Sequence, residues 1–254
     1  MIVKNAIVVI GDGETLLRYT VLNEGCVMIE KPAETMGDSI HTTARAVIAT
    51  IPFFGGAALE LFNVVLAQPI EIRKQKWMEE VSNALNELKQ NIGLDFDKLK
   101  ENEQFISTML QASTLAIKNH QIEKLEALKN AVLNSALPNS PEESLQQMFL
   151  SCVDSFSVWH IKLLVLFHNP MNWFINNNKR FPDITAGGLS HILEAAYPEL
   201  STKREFYDLV WSELSSKNFT KTNSLHGTMT LNGLQSKRTS ELGDVFLKFI
   251  SKPS

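Results

Sequence analysis

With 254 residues, 44% of them hydrophobic and 20% charged, the chain has the composition of a globular protein long enough to bury a full core. Its 24 Lys and Arg against 28 Asp and Glu leave a net charge of -4, which argues against a protein that coats nucleic acid or hugs an anionic membrane. Cys26 and Cys152 stand far apart, which excludes a disulfide-stapled framework. The opening MIVKNAIVVIGDGE has too short an apolar run for a secretory signal, and both features predict a cytoplasmic protein.

Residues 2–10 are β-branched and apolar, and Gly11-Asp12-Gly13 is a turn signal. Residues 16–22 and 26–29 are strand-like again around Asn23-Glu24-Gly25. A small β-meander is predicted over residues 1–38, packed on the helices that follow because so small a sheet does not stand alone. Next comes the most apolar run of the chain, residues 44–70, ARAVIATIPFFGGAALELFNVVLAQPI. A membrane-spanning helix needs about 20 unbroken apolar residues. Here Pro52 and Gly55-Gly56 interrupt the run, so it predicts two short helices buried at the centre of a bundle. The alternative is a membrane-active hairpin over residues 46–68, in which Pro52, Phe53, Phe54, Gly55 and Gly56 enter lipid and Glu60 lines a pore or interface.

Beyond Pro69, which either opens or kinks a helix, Trp77, Val81, Ala84, Leu85, Leu88 and Ile92 recur at helical spacing, and Gly93 supplies a stop. Ile106, Met109, Leu110 and Ile117 repeat the pattern. So do Ile122, Leu125, Leu128 and Val132, with Glu123, Lys124, Glu126 and Lys129 as their solvated side. Ser140-Pro-Glu-Glu143 reads as a capping box, opening a helix with Leu145, Met148, Phe149, Cys152, Val153 and Phe156 inward. Residues 159–167 are nearly all apolar and predict a further central helix, so residues 39–170 read as a helical bundle. Residues 171–185, with the Asn176-Asn177-Asn178 run, read as a linker or short connecting helix.

From residue 186 onward the predicted order is a short helix, a second helix opened by a Thr202-Lys-Arg-Glu205 capping box, a hairpin and a last helix. Phe206, Val210 and Leu214 face inward from the second helix, and Leu242, Val245, Phe246, Phe249 and Ile250 from the last. The hairpin rests on alternation over residues 224–231 and on the turn signal Asn232-Gly233. Leu214-Ser-Ser-Lys-Asn-Phe219, the hairpin, and Arg238-Thr-Ser-Glu-Leu-Gly243-Asp-Val-Phe246 together resemble a winged-helix module over residues 186–254. Asn218 stands where that pattern usually has Gly, and Arg238 where it usually has Leu. Across the whole chain, the IPFFGG–ELF run, the NAVLNSALPNSP phrase and the Thr239-to-Phe246 phrase are similar to uncharacterised bacterial helical proteins of the abortive-infection alpha type. That resemblance implies a bacterial cytoplasmic protein linked to phage defence, and it assigns no catalytic residue.

A winged helix raises the question of DNA, for which the candidate contacts are Lys203, Arg204, Lys217, Lys221, Lys237 and Arg238. From residue 186 onward eight basic residues oppose seven acidic ones, a thin surplus for neutralising several phosphates. The six histidines (41, 120, 160, 168, 191 and 226) are scattered, and no Glu-x-x-His of a carboxylate-bridged metal bundle occurs. Asp154 and His160 near a helix junction read as a capping or core hydrogen bond. The glycine pairs lack the Lys of a phosphate loop. No catalytic residue, metal or cofactor is therefore expected. The sequence predicts a mainly α protein: a β-meander, a helical bundle and a winged-helix-like C-terminal domain. It would act without catalysis through a protein partner or as a homo-oligomer, with a membrane-active effector and a DNA-binding regulator as the alternatives.

Overall fold

The computed structural model describes the backbone of three N-terminal strands together with residues 68–253. The chain divides into two units, Met1–Asn63 and Val64–Ser254. In the first, β1 (Lys4–Val9), β2 (Leu16–Val21) and β3 (Val27–Met28) form an antiparallel sheet in that order. Its register sets Lys4 opposite Val21 and Thr20 opposite Met28. These are the strands that the two glycine-containing turns predict. The apolar run through Pro52, Phe53, Phe54, Gly55, Gly56 and Glu60 lies outside the described residues, and with it the packing expected for the meander.

The second unit is mainly helical. Helix α1 (Gln68–Ile92) carries Pro69 in its first turn, where the missing N–H has no partner to lose. It stops at Gly93, whose φ of +71° suits glycine. Next come α2 (Phe96–Lys100), α3 (Glu103–Lys118) and α4 (Ile122–Ser135). Asp95 and Asn102 cap α2 and α3 by accepting first-turn N–H groups. α5 (Glu143–Ser155), α6 (Val158–His168) and α7 (Pro170–Asn176) follow. Two-residue strands β4 (Ala186–Gly187) and β5 (Met229–Thr230) pair antiparallel around α8 (Leu189–Ala196) and α9 (Arg204–Ser216). The chain then forms α10 (Leu231–Gln235) and α11 (Glu241–Ile250).

One hydrophobic core runs from Trp77 on α1 to Ile250 on α11, so the expected boundary near residues 171–185 does not divide it. Its centre is aromatic: Phe219 stacks on Phe246 at 4.9 Å and 14°, and Phe149 meets Phe246 edge-on at 5.3 Å. Among the described residues no single helix is long and apolar enough to cross a membrane. α5 and α6 pass that test only as a pair bent by 116°, and Phe149, Leu150, Leu163 and Phe167 on them are fully buried.

Several local expectations are corrected. α3 presents Phe105, Thr108, Ala112 and Leu115 to the core with Met109 packed beside them and leaves Leu110 exposed; the Thr108 hydroxyl donates to the buried Gln146 amide oxygen at 2.6 Å. Lys124, expected in solvent, is 6% exposed, and its ammonium donates to the Asp154 carbonyl at 2.8 Å, near the carbonyl end of α5. Neither predicted capping box forms. The Pro141 carbonyl is drawn into bonds from Gln104 Nε2 and Gln146 Nε2, and α5 begins after an extended Glu142 instead. Lys203, with no side-chain cap, precedes α9. Asn232-Gly233 makes no hairpin turn: Thr230 caps α10 by accepting the Gly233 N–H, and β5 pairs back to β4.

Two asparagines end helices. Asn218 sits at φ +58°, with its N–H on Ser215 O and the Phe219 N–H on Leu214 O. Asn178, at φ +53°, does the same through Ile175 and Phe174. Both are Schellman closures, which explains the asparagine run after α7 and the Asn where Gly is usual after α9.

Candidate functional site

The six candidate DNA contacts stand in different local settings. Lys203 and Arg204 stand at the start of α9 and Lys217 at its end, about 20 Å apart on a helix of this length. Arg204 points at Asp208, 3.5 Å away, and Lys217 lies over the Phe156 ring. Lys221 is exposed, and its backbone N–H bonds the Arg238 carbonyl. The basic pair Lys237-Arg238 is engaged within the fold. Lys237 Nζ sits 2.5 Å from Asp244 Oδ2, and the half-buried Arg238 guanidinium donates to the Gly233 carbonyl and Met229 sulfur.

Three of the described histidines, His160, His168 and His226, link one element to another. His160 accepts the Ser157 N–H at Nδ1 and reaches Glu213 on α9 through Nε2 at 2.7 Å, while its ring stacks on Phe156 at 4.5 Å. A capping or core hydrogen bond is what the sequence indicates for this residue, and burial pulls its pKa below the usual histidine value against the attraction of Glu213. His168 on α6 meets Asp244 on α11 at 3.0 Å. Burial alone would raise the Asp244 pKa, but Lys237, Thr239 and His168 bond its carboxylate and hold it below the ordinary value. His226 pairs with Asp208 at 2.7 Å. Among the described residues no group of three His, Cys, Asp or Glu side chains is placed to hold a metal ion.

The arrangement best fitted to a partner is a groove of about 460 Å³ beside α6 and α7. Three half-buried rings are held edge-on to one another: Tyr197, after α8, meets Trp159 at 5.2 Å and Trp173 at 5.1 Å. Lys162 lies over Trp159, Lys179 over Trp173, and Lys162 also pairs with Glu123 at 3.2 Å. Burial drives the Tyr197 hydroxyl to about 12, so it stays a neutral donor and acceptor. Trp173 and Tyr197 line the groove with Asn169, Asn172, Asn176 and Asn177. Asn169 caps α7 by accepting the Asn172 N–H at 3.1 Å, and Asn177 Nδ2 returns to the Trp173 carbonyl at 2.8 Å. That leaves the amides of Asn172 and Asn176, one helical turn apart, to face solvent. Rigid apolar rings beside free amides can hold an extended chain, the rings by contact area and the amides through its backbone.

Sequence reasoning missed this groove because the rings in it and beside it lie at positions 159, 173 and 197 and meet only after folding. The available signal was the density of Trp and Asn between residues 159 and 178. Comparison of the chain with protein-family models, curated proteins and solved structures gives no match.

Proposed function

We propose that this chain is a non-catalytic interaction or regulatory protein, a helical bundle ending in a winged-helix-like region, whose partner lies along the groove beside α6 and α7. The observation that carries the proposal is the immobilised Trp159–Tyr197–Trp173 cluster beside the free amides of Asn172 and Asn176. Immobilised rings bind at low entropic cost, which is why aromatic residues dominate binding energy at interfaces. The hydrogen bonds that His160, His168 and His226 make between elements support a structural role for them over proton transfer.

The test is a photo-crosslinker placed at position 176 in cells making the full chain, with position 82 on the exposed side of α1 as control. A discrete adduct at 176 that disappears with Trp173→Ala is expected; no adduct above the control would end the proposal. On the sequence resemblance the setting is the bacterial cytoplasm during phage infection. There, expression of the wild-type chain should lower plating efficiency and Trp173→Ala should restore it.

A DNA-binding role draws less support, because Lys237 and Arg238 are held by Asp244 and Gly233.

A further inference from the structure

A second groove, of about 510 Å³, lies between the α4–α5 loop and α11. Its chemistry is one-sided. Lys248 and Lys252 line it, and neither ammonium has a carboxylate partner among the described residues. No Asp or Glu lines it at all, and Leu137, Leu145 and Val245 supply an apolar wall.

Its inner end is Asn134, 8% exposed. The Asn134 Nδ2 donates to the carbonyls of Phe249 at 2.8 Å and Ser251 at 2.7 Å, and more weakly to Lys248 at 3.2 Å. Asn130 Nδ2 takes the Ile250 carbonyl at 3.1 Å. These bonds quench the negative carbonyl end of α11, which would otherwise repel an anion entering the groove. They also commit the Asn134 donor and leave its Oδ1 accepting no hydrogen bond. Asn134 itself lines the groove.

A matching ligand needs an anion for the two lysines, an N–H donor for Asn134 Oδ1 beside it, and an apolar group for the wall. We propose that this groove binds the free C-terminus of a polypeptide ending in an apolar residue. The terminal carboxylate lies between Lys248 and Lys252, the last peptide N–H donates to Asn134 Oδ1, and the last side chain packs on Leu137, Leu145 and Val245. A carboxylate between two ammonium groups makes charge-assisted hydrogen bonds, about twice as strong as neutral ones. The site is separate from the groove beside α6 and α7, so either can fail alone.

The experiment titrates the full chain into a fluorescein-labelled peptide Gly-Ser-Gly-Ala-Leu with a free carboxylate, and into the same peptide amidated. Saturable binding of the acid is expected, weakened at least tenfold by amidation. The double variant Lys248→Glu, Lys252→Glu should lose binding by at least the same factor while melting as the wild type does, since both side chains are exposed. Leu145→Trp, which fills the groove from its apolar wall, should abolish binding and leave the lysines in place. Equal binding of acid and amide, no saturable binding of the acid, or unchanged affinity in the double variant each overturns the proposal. So does displacement of the peptide by inorganic phosphate at equal concentration, which would mark a site for small anions.

Discussion

Gly243, in the first turns of α11, is where the fold is least forgiving. A Cβ built there runs into the Phe219 carbonyl oxygen, far inside the 3.0 Å that real Cβ contacts do not cross. That oxygen is not free to retreat. It accepts the Ser240 N–H at 3.0 Å, and Phe219 itself closes α9 by donating to Leu214. The Phe219 ring is stacked on Phe246 and tilted against Phe149. Two effects of opposite sign compete in Gly243→Ala. Helix propensity favours Ala by about 1 kcal/mol. Overpacking against immovable backbone costs about 3 kcal/mol, toward the upper end of the usual range because no side chain can swing aside. The net loss is about 2 kcal/mol, and a unit of this size loses about 2–4 °C in Tm per kcal/mol, so a fall of about 4–8 °C is expected. Thermal and urea melts followed by circular dichroism at 222 nm measure it. Gly227→Ala is the control, since a Cβ there meets nothing within 4 Å, and it should stay within about 0.5 kcal/mol of wild type. Should Gly243→Ala prove as stable as the wild type, the account of how α11 seats against Phe219 is wrong.

Two further outcomes are expected. Asn218→Gly relieves a left-handed backbone at φ +58° and leaves the Schellman bonds intact, so it should raise stability by about 0.5 kcal/mol; a lower urea midpoint would contradict that reading. Burial holds the His160 pKa below the usual histidine value, so the unfolded chain takes up a proton that the native state resists. The stability contributed by neutral His160 is therefore complete above about pH 6.5 and is lost as pH falls below it. The urea midpoint should drop between pH 7.5 and 5.5, and it should drop less in His160→Gln; equal drops in the two proteins would refute the assignment.

Helices were legible because apolar spacing survives any tertiary context, and α1, α4, α5 and α6 lie where that spacing puts them. Which face each helix buries was less legible. Thr108 and Lys124 go inside because each finds one partner there, Gln146 Oε1 and the Asp154 carbonyl, and a local pattern carries no information about partners 30 or more residues away. The capping signals at Ser140 and Thr202 failed for a related reason. The Pro141 carbonyl serves Gln104 and Gln146, while the residues around Thr202 continue the 3-10 turn of Pro198–Leu200. Asn232-Gly233 predicts a hairpin through the positive φ of its turn, but neither residue adopts one, and Thr230 draws the pair into a helix. By contrast, Asn218 was legible as a substitute for Gly, and its positive φ shows why. The NAVLNSALPNSP phrase also gains a physical meaning: Asn130 and Asn134 cap α11, and Leu137 to Pro141 wall the groove beside it.

The charge of the C-terminal region can be turned into a number that separates contact from scaffolding. Each Lys or Arg that neutralises a phosphate adds about 0.9 to the slope of log affinity against log salt. If all six candidates served as contacts, that slope would be near -5. Within the fold Lys237 pairs with Asp244, Arg238 bonds the Gly233 carbonyl and Arg204 points at Asp208. Lys203, Lys217 and Lys221 remain without a carboxylate partner among the described residues, so any DNA affinity should show a slope no steeper than about -3. Arg238→Ala is the wrong variant for testing contact. It removes the guanidinium that holds the Gly233 carbonyl and Met229, and it should lower Tm whether or not DNA is present. Lys217→Ala with Lys221→Ala leaves those bonds alone and reports contact cleanly. A salt slope of -5 or steeper, or an Arg238→Ala protein that melts as the wild type does yet no longer binds DNA, would show that the Arg238 guanidinium leaves Gly233 to meet phosphate.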